Sequence, residues 1–370
     1  MSQETSKSLL EVYCSKFMIA HDQEPLAFED WPKHFDSFKI PGIPYPVLKT
    51  VLLPGVFVDR VMLLHSEKRS QELVQFEQDG AVGVYWWSHG MISRDWFRYA
   101  KHDITLTQKN VQKTFLIYNR AWSGSREYRL KFTKMLVDAG LHFQSRTSFS
   151  PVDQGIPYTQ HQYKNPSLAI TQQDLEHYIE TNTAPSWASA DYTSKDYQET
   201  QLEVVLETLF DDTRLHLTEK TLRPIACGHP FILCATHGSL AYLREYGFKT
   251  FGDFWDESYD DIVDPVERLQ SIMQLLKSIA DMPDDQRCKL FEQVQSVCEF
   301  NQQRFFGQDF FNQLVTEYQD NINTAVDLVR PHLSGAYFKR IVSHDGLSHV
   351  LSQDTIEQML NWLELNSTGV

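Results

Sequence analysis

The 370-residue chain lacks several features that would settle its class at once. No stretch reaches the roughly 18 to 20 uninterrupted apolar residues of a membrane-spanning helix, so no membrane role is expected. The start, "MSQETSKSLLEVYCSKF", has no basic segment, apolar middle and small-residue cleavage site of a secretory leader. There is no G-x-x-x-x-G-K-[ST] loop of the kind that cradles phosphates, which ranks a sulfotransferase-like reading low. Five cysteines, Cys14, Cys227, Cys234, Cys288 and Cys298, are an odd number without metal-ligand spacing. They read as reduced, mostly buried thiols of a cytoplasmic protein, and no metal site is expected. Internal repeats and low-complexity tracts are missing as well.

What is present is a globular composition, 42% hydrophobic and 13% aromatic, in a chain longer than one comfortable domain. A net charge of −15 argues against a surface devoted to nucleic acid. The charge is uneven, however. From Lys109 to Lys134 seven basic residues face a single acid, Glu127, for a local +6, leaving −21 to the rest. Such a run is either a solvated helix face or a surface that meets an anion.

After a loop-rich lead-in ("FKIPGIPYPVL"), strand and helix patterns alternate. "RVMLLHS", "AVGVYWWSHG", "KTFLIYN" and "FQSRTSFSP" read as strands. "SQELVQFEQDG", "SRDWFRYAKH" (capped by Ser93) and "SREYRLKFTKMLVDAG" (capped by Ser125, ended by Gly140) read as helices. Residues 152 to 194 are polar and irregular, with one helix expected at "TQQDLEHYIE". The alternation resumes with strand "QLEVVLET", helix "LTEKTLRPIACG", strand "HPFILCAT", helix "SLAYLREYG" and a short strand "FKTF"; beyond Asp264 the pattern is helical. This pace implies βαβ units and parallel sheets. The expected architecture is α/β, two Rossmann-like domains facing across a cleft with a helical C-terminal tail. Its divisions are 1–165, a connector at 166–194, 195–330 and a tail at 331–370. Ligands in such sheets sit beyond the strand carboxyl ends, in the loops before the helices.

The stretch "LHLTEKTLRPIACGHPFILC" concentrates chemistry at one such place. Thr218 is the natural N-cap of the helix beginning "EKTLRP". Lys220 in a first helical turn opposes the helix dipole, and a bound anion would account for it. Glu219, acceptor-only when ionised, suits ribose hydroxyls; a plain surface Glu–Lys pair is the competing reading. A second helix opens at Gly238 and Ser239, so two helix N-termini are expected at one crevice. His229 and His237 are either polar contacts there or structural.

These residues carry a resemblance. The run "ETLFDD…HLTEKTLRPIACGHPFILCATHGSLAYLREYGFKTFGDFWDESYDDIVDPVERL" resembles the C-terminal half of GT-B-type nucleotide-sugar glycosyltransferases, in particular a group found in tailed phages and other viruses. Its "TEK", followed by a helix and G-x-P-F, is also similar to the donor site of α-1,3-fucosyltransferases. The Glu and Lys of that motif contact the nucleotide sugar, and here they match Glu219 and Lys220. The likeness covers about Glu203 to Leu269 well. It extends more weakly to "YNRAWSGSREYRL", where an Asn-Arg pair and a further Arg match Asn119, Arg120 and Arg126. Residues before about 100 show none.

The resemblance implies a glycosyltransferase whose donor substrate is a nucleoside diphosphate sugar, without a covalently bound cofactor or a metal. Arg120 and Arg126 would reach the diphosphate, Arg being suited to bidentate phosphate contacts. The acceptor would carry a hydroxyl, with a hydroxymethylpyrimidine in phage DNA the leading choice and host cytoplasm the setting; a glycan, a lipid-linked sugar or a protein hydroxyl stays open. A non-catalytic nucleotide-sugar-binding protein of the same fold is the contrasting reading. If DNA is the partner, Lys131 and Lys134 would guide it and Trp87, beside Trp86, would stack on a sugar or base. The two tryptophans fit a core equally well. A base for the acceptor hydroxyl is expected in "WWSHGMISRDW", with His89 first and Asp95 and Asp103 behind it. The acidic "DFWDESYDD" reads as a solvated turn, or as a hydroxyl contact through Glu257.

Overall fold

The computed structural model describes residues 49–51, 62–71, 74, 82–99, 109–171, 175 and 190–329. The chain divides into two compact units, residues 1–99 with 311–370, and residues 100–310. The lead-in before residue 49, Asp103, the 331–370 tail and most of the expected helices at "SQELVQFEQDG" and "TQQDLEHYIE" lie outside the described residues.

The first unit holds a three-stranded sheet. Strand β1 (Lys49–Val51) runs antiparallel to β2 (Met62–His65), which pairs in parallel with β3 (Val82–Tyr85). Helix α1 (Ser88–Tyr99) follows β3 and begins five residues earlier than Ser93, which is a buried residue within it. Trp86 and Trp87 are buried at the end of β3. The Trp86 indole donates to the Leu314 carbonyl at 3.0 Å, and the Trp87 amide donates to the Glu317 carboxylate at 3.0 Å.

The second unit is α/β around a parallel sheet of four strands in the order β5-β4-β8-β9. Strand β4 (Lys113–Asn119) leads through helix α2 (Tyr128–Asp138) to β5 (Ser145–Phe149) on one side. A small hairpin, β6 (Val152–Asp153) with β7 (Ile156–Pro157), and helix α3 (Ser194–Gln198) precede β8 (Thr200–Leu206). Strand β8 lies on the other side of β4 and leads through α4 (Glu219–Ala226) to β9 (Phe231–Cys234). All seven residues of β8 are buried, as a central parallel strand covered on both faces requires. The helices after β9 are α5 (Ser239–Glu245), α6 (Pro265–Ala280), α7 (Asp284–Phe306) and α8 (Gln308–Val329); the division between the units falls inside α8. Asp264 caps α6 by accepting from the Val266 and Glu267 amides at 2.9 Å, with Pro265 at the first helical position.

The topology corrects the expected division. Strands on both sides of the 166–194 connector, β4 and β5 before it and β8 and β9 after it, share one sheet, so that stretch is an excursion within a unit. Three local expectations change too. Ser125 does not cap α2: a 3-10 turn spans Gly124–Arg126, and Glu127 stands at the cap position without a side-chain cap bond. Gly140 does close that helix region in the left-handed conformation, φ 70°. "FKTF" is not a strand, because the Asn301 side chain takes both the amide and the carbonyl of Lys249, each at 2.8 Å.

Candidate functional site

The order β5-β4-β8-β9 reverses between β4 and β8. The chain leaves β4 toward β5 and leaves β8 toward β9, so a crevice opens where the two carboxyl ends part. A small cavity of about 40 Å³ sits there, lined by Tyr118, Arg120 and Ala121 at the end of β4 and by Arg126 and Arg129 around the start of α2. Leu206 of β8 and Lys220 and Arg223 of α4 complete it. Five cationic side chains around so small a space make it an oxyanion-sized, strongly positive pocket.

Their partners separate these cations into two kinds. Arg129 and Arg223 are built into the fold. Where β4 and β8 diverge, their last carbonyls lose ladder partners, and Arg129 supplies them. Its Nη1 donates to the Ala121 carbonyl at 2.6 Å, its Nη2 to the Leu206 and Glu207 carbonyls at 2.6 and 3.0 Å. Arg223 pairs with buried Glu203 and donates to the Tyr197 hydroxyl at 3.0 Å. Burial opposes its charge, but Glu203 outweighs that and holds the guanidinium well above its ordinary range.

The others face the pocket. Arg126 donates only its Nε, to the Ser123 carbonyl at 3.1 Å, leaving its two terminal nitrogens without a partner among the described residues. Burial, then the charge of Arg129, lowers its pKa, and Arg120 is lowered by burial and then by Arg223. Like charges are therefore crowded here. The Tyr118 ring lies 4.5 Å from both the Arg120 and the Arg223 guanidinium, and its hydroxyl donates to Asp196 at 2.6 Å. Lys220 donates to Glu219 at 2.6 Å and to the Thr218 hydroxyl at 3.2 Å, so its charge is already shared.

The loop bearing Arg120 and Arg126 is fixed by two carboxylates. Asp153 in the β6–β7 hairpin accepts from the Trp122 and Ser123 amides at 2.8 and 2.7 Å. Burial works to raise its pKa, yet the donors from Ser123 and Trp122 and the nearby Arg126 leave it lowered. Glu127 accepts from the Lys164 and Asn165 amides at 2.9 and 2.7 Å. Trp122 packs beneath with Leu130, Phe149, Tyr158 and Leu175.

Comparison with protein-family models, curated proteins and solved structures finds no match to this chain.

Of the residues singled out in the sequence, Arg120, Arg126 and Lys220 converge on the pocket, and Glu219 joins them through its ion pair with Lys220. Thr218 is the N-cap, accepting from the Lys220 amide at 3.4 Å. The expectation that free helix amides help hold an anion is corrected by Glu207. This fully buried carboxylate accepts from the amides of Thr208, Thr218 and Thr221 at 2.9, 2.9 and 3.3 Å. It also takes the Thr221 hydroxyl at 2.7 Å and the Thr218 hydroxyl at 2.9 Å. An internal carboxylate thus occupies the helix terminus, and a ligand meets side chains instead.

The second helix terminus is filled in the same way. Asp260 takes the Leu240 and Ala241 amides at 3.0 and 3.3 Å and its carbonyl takes the Gly238 amide at 2.7 Å. Gly238 has φ 79° before α5, and Ser239 is buried, donating to the Thr236 carbonyl at 2.6 Å. These two residues and His237 follow β9 and do not line the pocket. His229 precedes β9, at the amino end of the sheet, buried against Lys109, so it cannot be a donor contact at the carboxyl end. In the acidic cluster, Glu257 accepts the Phe251 amide at 2.7 Å and Asp256 the Ser258 amide at 2.9 Å.

The acceptor-side expectations fare differently. His89 lies half-buried in α1 of the other unit, and the side chain of Asp95 in the same helix is not described. Trp87 is 0% exposed, which removes it as a stacking platform. Lys131 and Lys134 sit on α2 outside the pocket lining, with Lys134 paired to Asp138 at 2.7 Å. The basic run does not form one patch. Lys113 starts β4 and Arg120 follows its end, and seven strand residues separate two places by roughly 20 Å. Tyr118, Arg129, Arg223 and Glu207 are the site residues sequence reasoning missed. Spacing held a signal for one of them: Arg223 is three residues beyond Lys220 in α4, which puts the two on one helical face. Among the described residues no helix is long and apolar enough to cross a membrane.

Proposed function

We propose that the chain is a glycosyltransferase that takes its sugar from a nucleoside diphosphate donor. The diphosphate is held by Arg120, Arg126 and Lys220 at the switch point of the 100–310 unit, with Arg223 behind them. The observation that carries this reading is the convergence of cations on an oxyanion-sized cavity where the strand order reverses. The resemblance of the "TEK" segment to glycosyltransferase donor sites supplies the sugar. The two-domain, GT-B-like arrangement belongs to the same proposal, with the donor site assigned wholly to residues 100–310.

In such a transfer the bond from the sugar anomeric carbon to the β-phosphate oxygen breaks, a bond from that carbon to the acceptor oxygen forms, and the acceptor hydroxyl gives up its proton to a base or to solvent. Negative charge grows on the departing diphosphate. Cations fixed in advance at that position stabilise the transition state more than the ground state. Arg126, with its fork unspent, suits this charge best. Lys220 reaches it by leaving Glu219, which then becomes available to the ribose hydroxyls.

A thermal-shift panel of nucleoside diphosphates, their sugars, free nucleosides and inorganic pyrophosphate tests the proposal. Diphosphates of one base should raise the melting temperature and free nucleosides should not; a ligand at a hundred times its Kd stabilises by about 2.7 kcal/mol. Slow hydrolysis of the matching nucleotide sugar should accompany binding. No response to any diphosphate would overturn the site, and binding without bond cleavage would mark a binding module.

A further inference from the structure

At the amino end of the four-stranded sheet, away from the basic pocket, a second polar cluster has no role in the donor site. Lys109 lies ahead of β4 and is an exposed residue, yet its amine is held between two buried residues, Thr200 and His229. Its Nζ stands 2.8 Å from His229 Nδ1 and 3.3 Å from the Thr200 carbonyl. Both partners are neutral acceptors. His229 is 1% exposed, edge-on to the Tyr197 ring at 4.9 Å, and burial followed by the Lys109 charge holds it well below its ordinary range. The remaining titratable groups facing the amine are the thiols Cys227, after α4, and Cys298, on α7, with Glu299 next to the latter. Burial pushes the Cys298 thiol up to about 12, so it is not an anion at neutral pH. Among the described residues no carboxylate lies within ion-pair distance of Lys109.

An ammonium desolvated without a counter-ion is driven toward the neutral amine, which is the nucleophilic form. We propose that Lys109 is a nucleophilic lysine, a site of N-acylation by activated acyl compounds of the thioester class, with His229 as its positioning residue. The Nζ lone pair attacks the acyl carbon. The new C–N bond forms an amide as the C–S bond breaks, and the proton lost from nitrogen ends on the released thiolate as a thiol. His229, neutral throughout, accepts a hydrogen bond at Nδ1 and fixes where the lone pair points. Burial brings the Lys109 amine down to about 8, which agrees with this geometry.

The test is trace acetylation of the folded protein with acetic anhydride across a pH series from about 6 to about 11, read lysine by lysine by mass spectrometry. Exposed Lys195 and Lys289 serve as internal standards. Lys109 should reach half-maximal reactivity near pH 8, well below the ordinary lysine value of 10.5. At neutral pH Lys109 should be labelled at least about tenfold faster, the neutral amine being far more abundant there. Unfolding the same protein in urea should erase the difference. In His229→Ala, where water replaces the ring, the Lys109 profile should move to higher pH; if that variant does not fold, the parent profile decides alone. A Lys109 that follows the standards in the folded protein, or that stays unlabelled at every pH, would overturn the proposal.

Discussion

Replacing Arg126 by alanine probes the pocket most directly, because the structure separates what this side chain does for the fold from what it offers a ligand. For the fold it makes one hydrogen bond, Nε to the Ser123 carbonyl at 3.1 Å, from a half-buried position. Such a bond contributes roughly 1 kcal/mol, and removing a cation crowded against Arg129 offsets part of that. The melting temperature should therefore move little. For a ligand Arg126 offers two terminal nitrogens in a fork, and losing hydrogen bonds to a charged group costs about 1.5–3 kcal/mol. Inorganic pyrophosphate and the nucleoside diphosphate should bind roughly 10- to 150-fold more weakly. Lys220→Ala should cost less, because Glu219 and Thr218 already share that ammonium. Isothermal titration calorimetry of parent, Arg126→Ala and Arg126→Lys with pyrophosphate is the assay. The lysine variant should recover part of the loss, since it keeps the charge and forfeits the fork. If a folded Arg126→Ala protein binds pyrophosphate as tightly as the parent, the pocket is not the anion site.

Other perturbations address the pocket's surroundings. Glu219→Gln removes the counter-ion of Lys220, so pyrophosphate should bind several-fold tighter at low salt; weaker binding would show that Glu219 supports the cation instead of competing for it. Glu207→Ala strips five amide and hydroxyl donors of a fully buried carboxylate and should cost about 3–5 kcal/mol of stability. A denaturation midpoint close to the parent's would contradict the capping role. Burial depresses Lys109 from its ordinary 10.5 to about 8, so the unfolded chain binds more protons between those values. Stability from this group should be complete above about 10.5 and lost as pH falls toward 8; Lys109→Met should flatten that slope in urea melts taken along the pH series. Gly247→Ala should destabilise the turn after α5, where φ is +76° and a Cβ would stand 2.4 Å from the Arg304 guanidinium. A neutral result in thermal melts would contradict the backbone strain expected at that positive φ, however far Arg304 yields.

Local pattern made much of the second unit legible. "KTFLIYN" is β4 residue for residue, "QLEVVLET" holds six of the seven residues of β8, and Thr218 caps α4 as its hydroxyl and position predicted. Periodicity and capping are properties of neighbours in sequence, and they carry over directly. Lys220 stands out in the sequence by its place in a first helical turn, whereas Arg120 and Arg126 are reached through the resemblance of "YNRAWSGSREYRL" to glycosyltransferase segments. Which strands pair is a different kind of fact. Nothing local in β4 distinguishes β8 from a strand of its own block as a partner, so in the sequence the 152–194 excursion looks like a domain boundary.

Tertiary structure alone decided how each charged group is spent. Glu207 and Asp260 fill helix termini that the sequence left open for a ligand, because a buried amide accepts whichever carboxylate the fold brings to it. Arg129 and Arg223 look no different from Arg126 in the sequence. The diverging strand ends and buried Glu203 claim the first two, and only Arg126 keeps its fork for something else. Trp87, an apolar ring beside a turn, went to the core for the same reason of placement. The sequence set the elements and the kinds of charge; the pairing of strands across a long interval set which charges face the crevice, since those partners meet only once the sheet has formed.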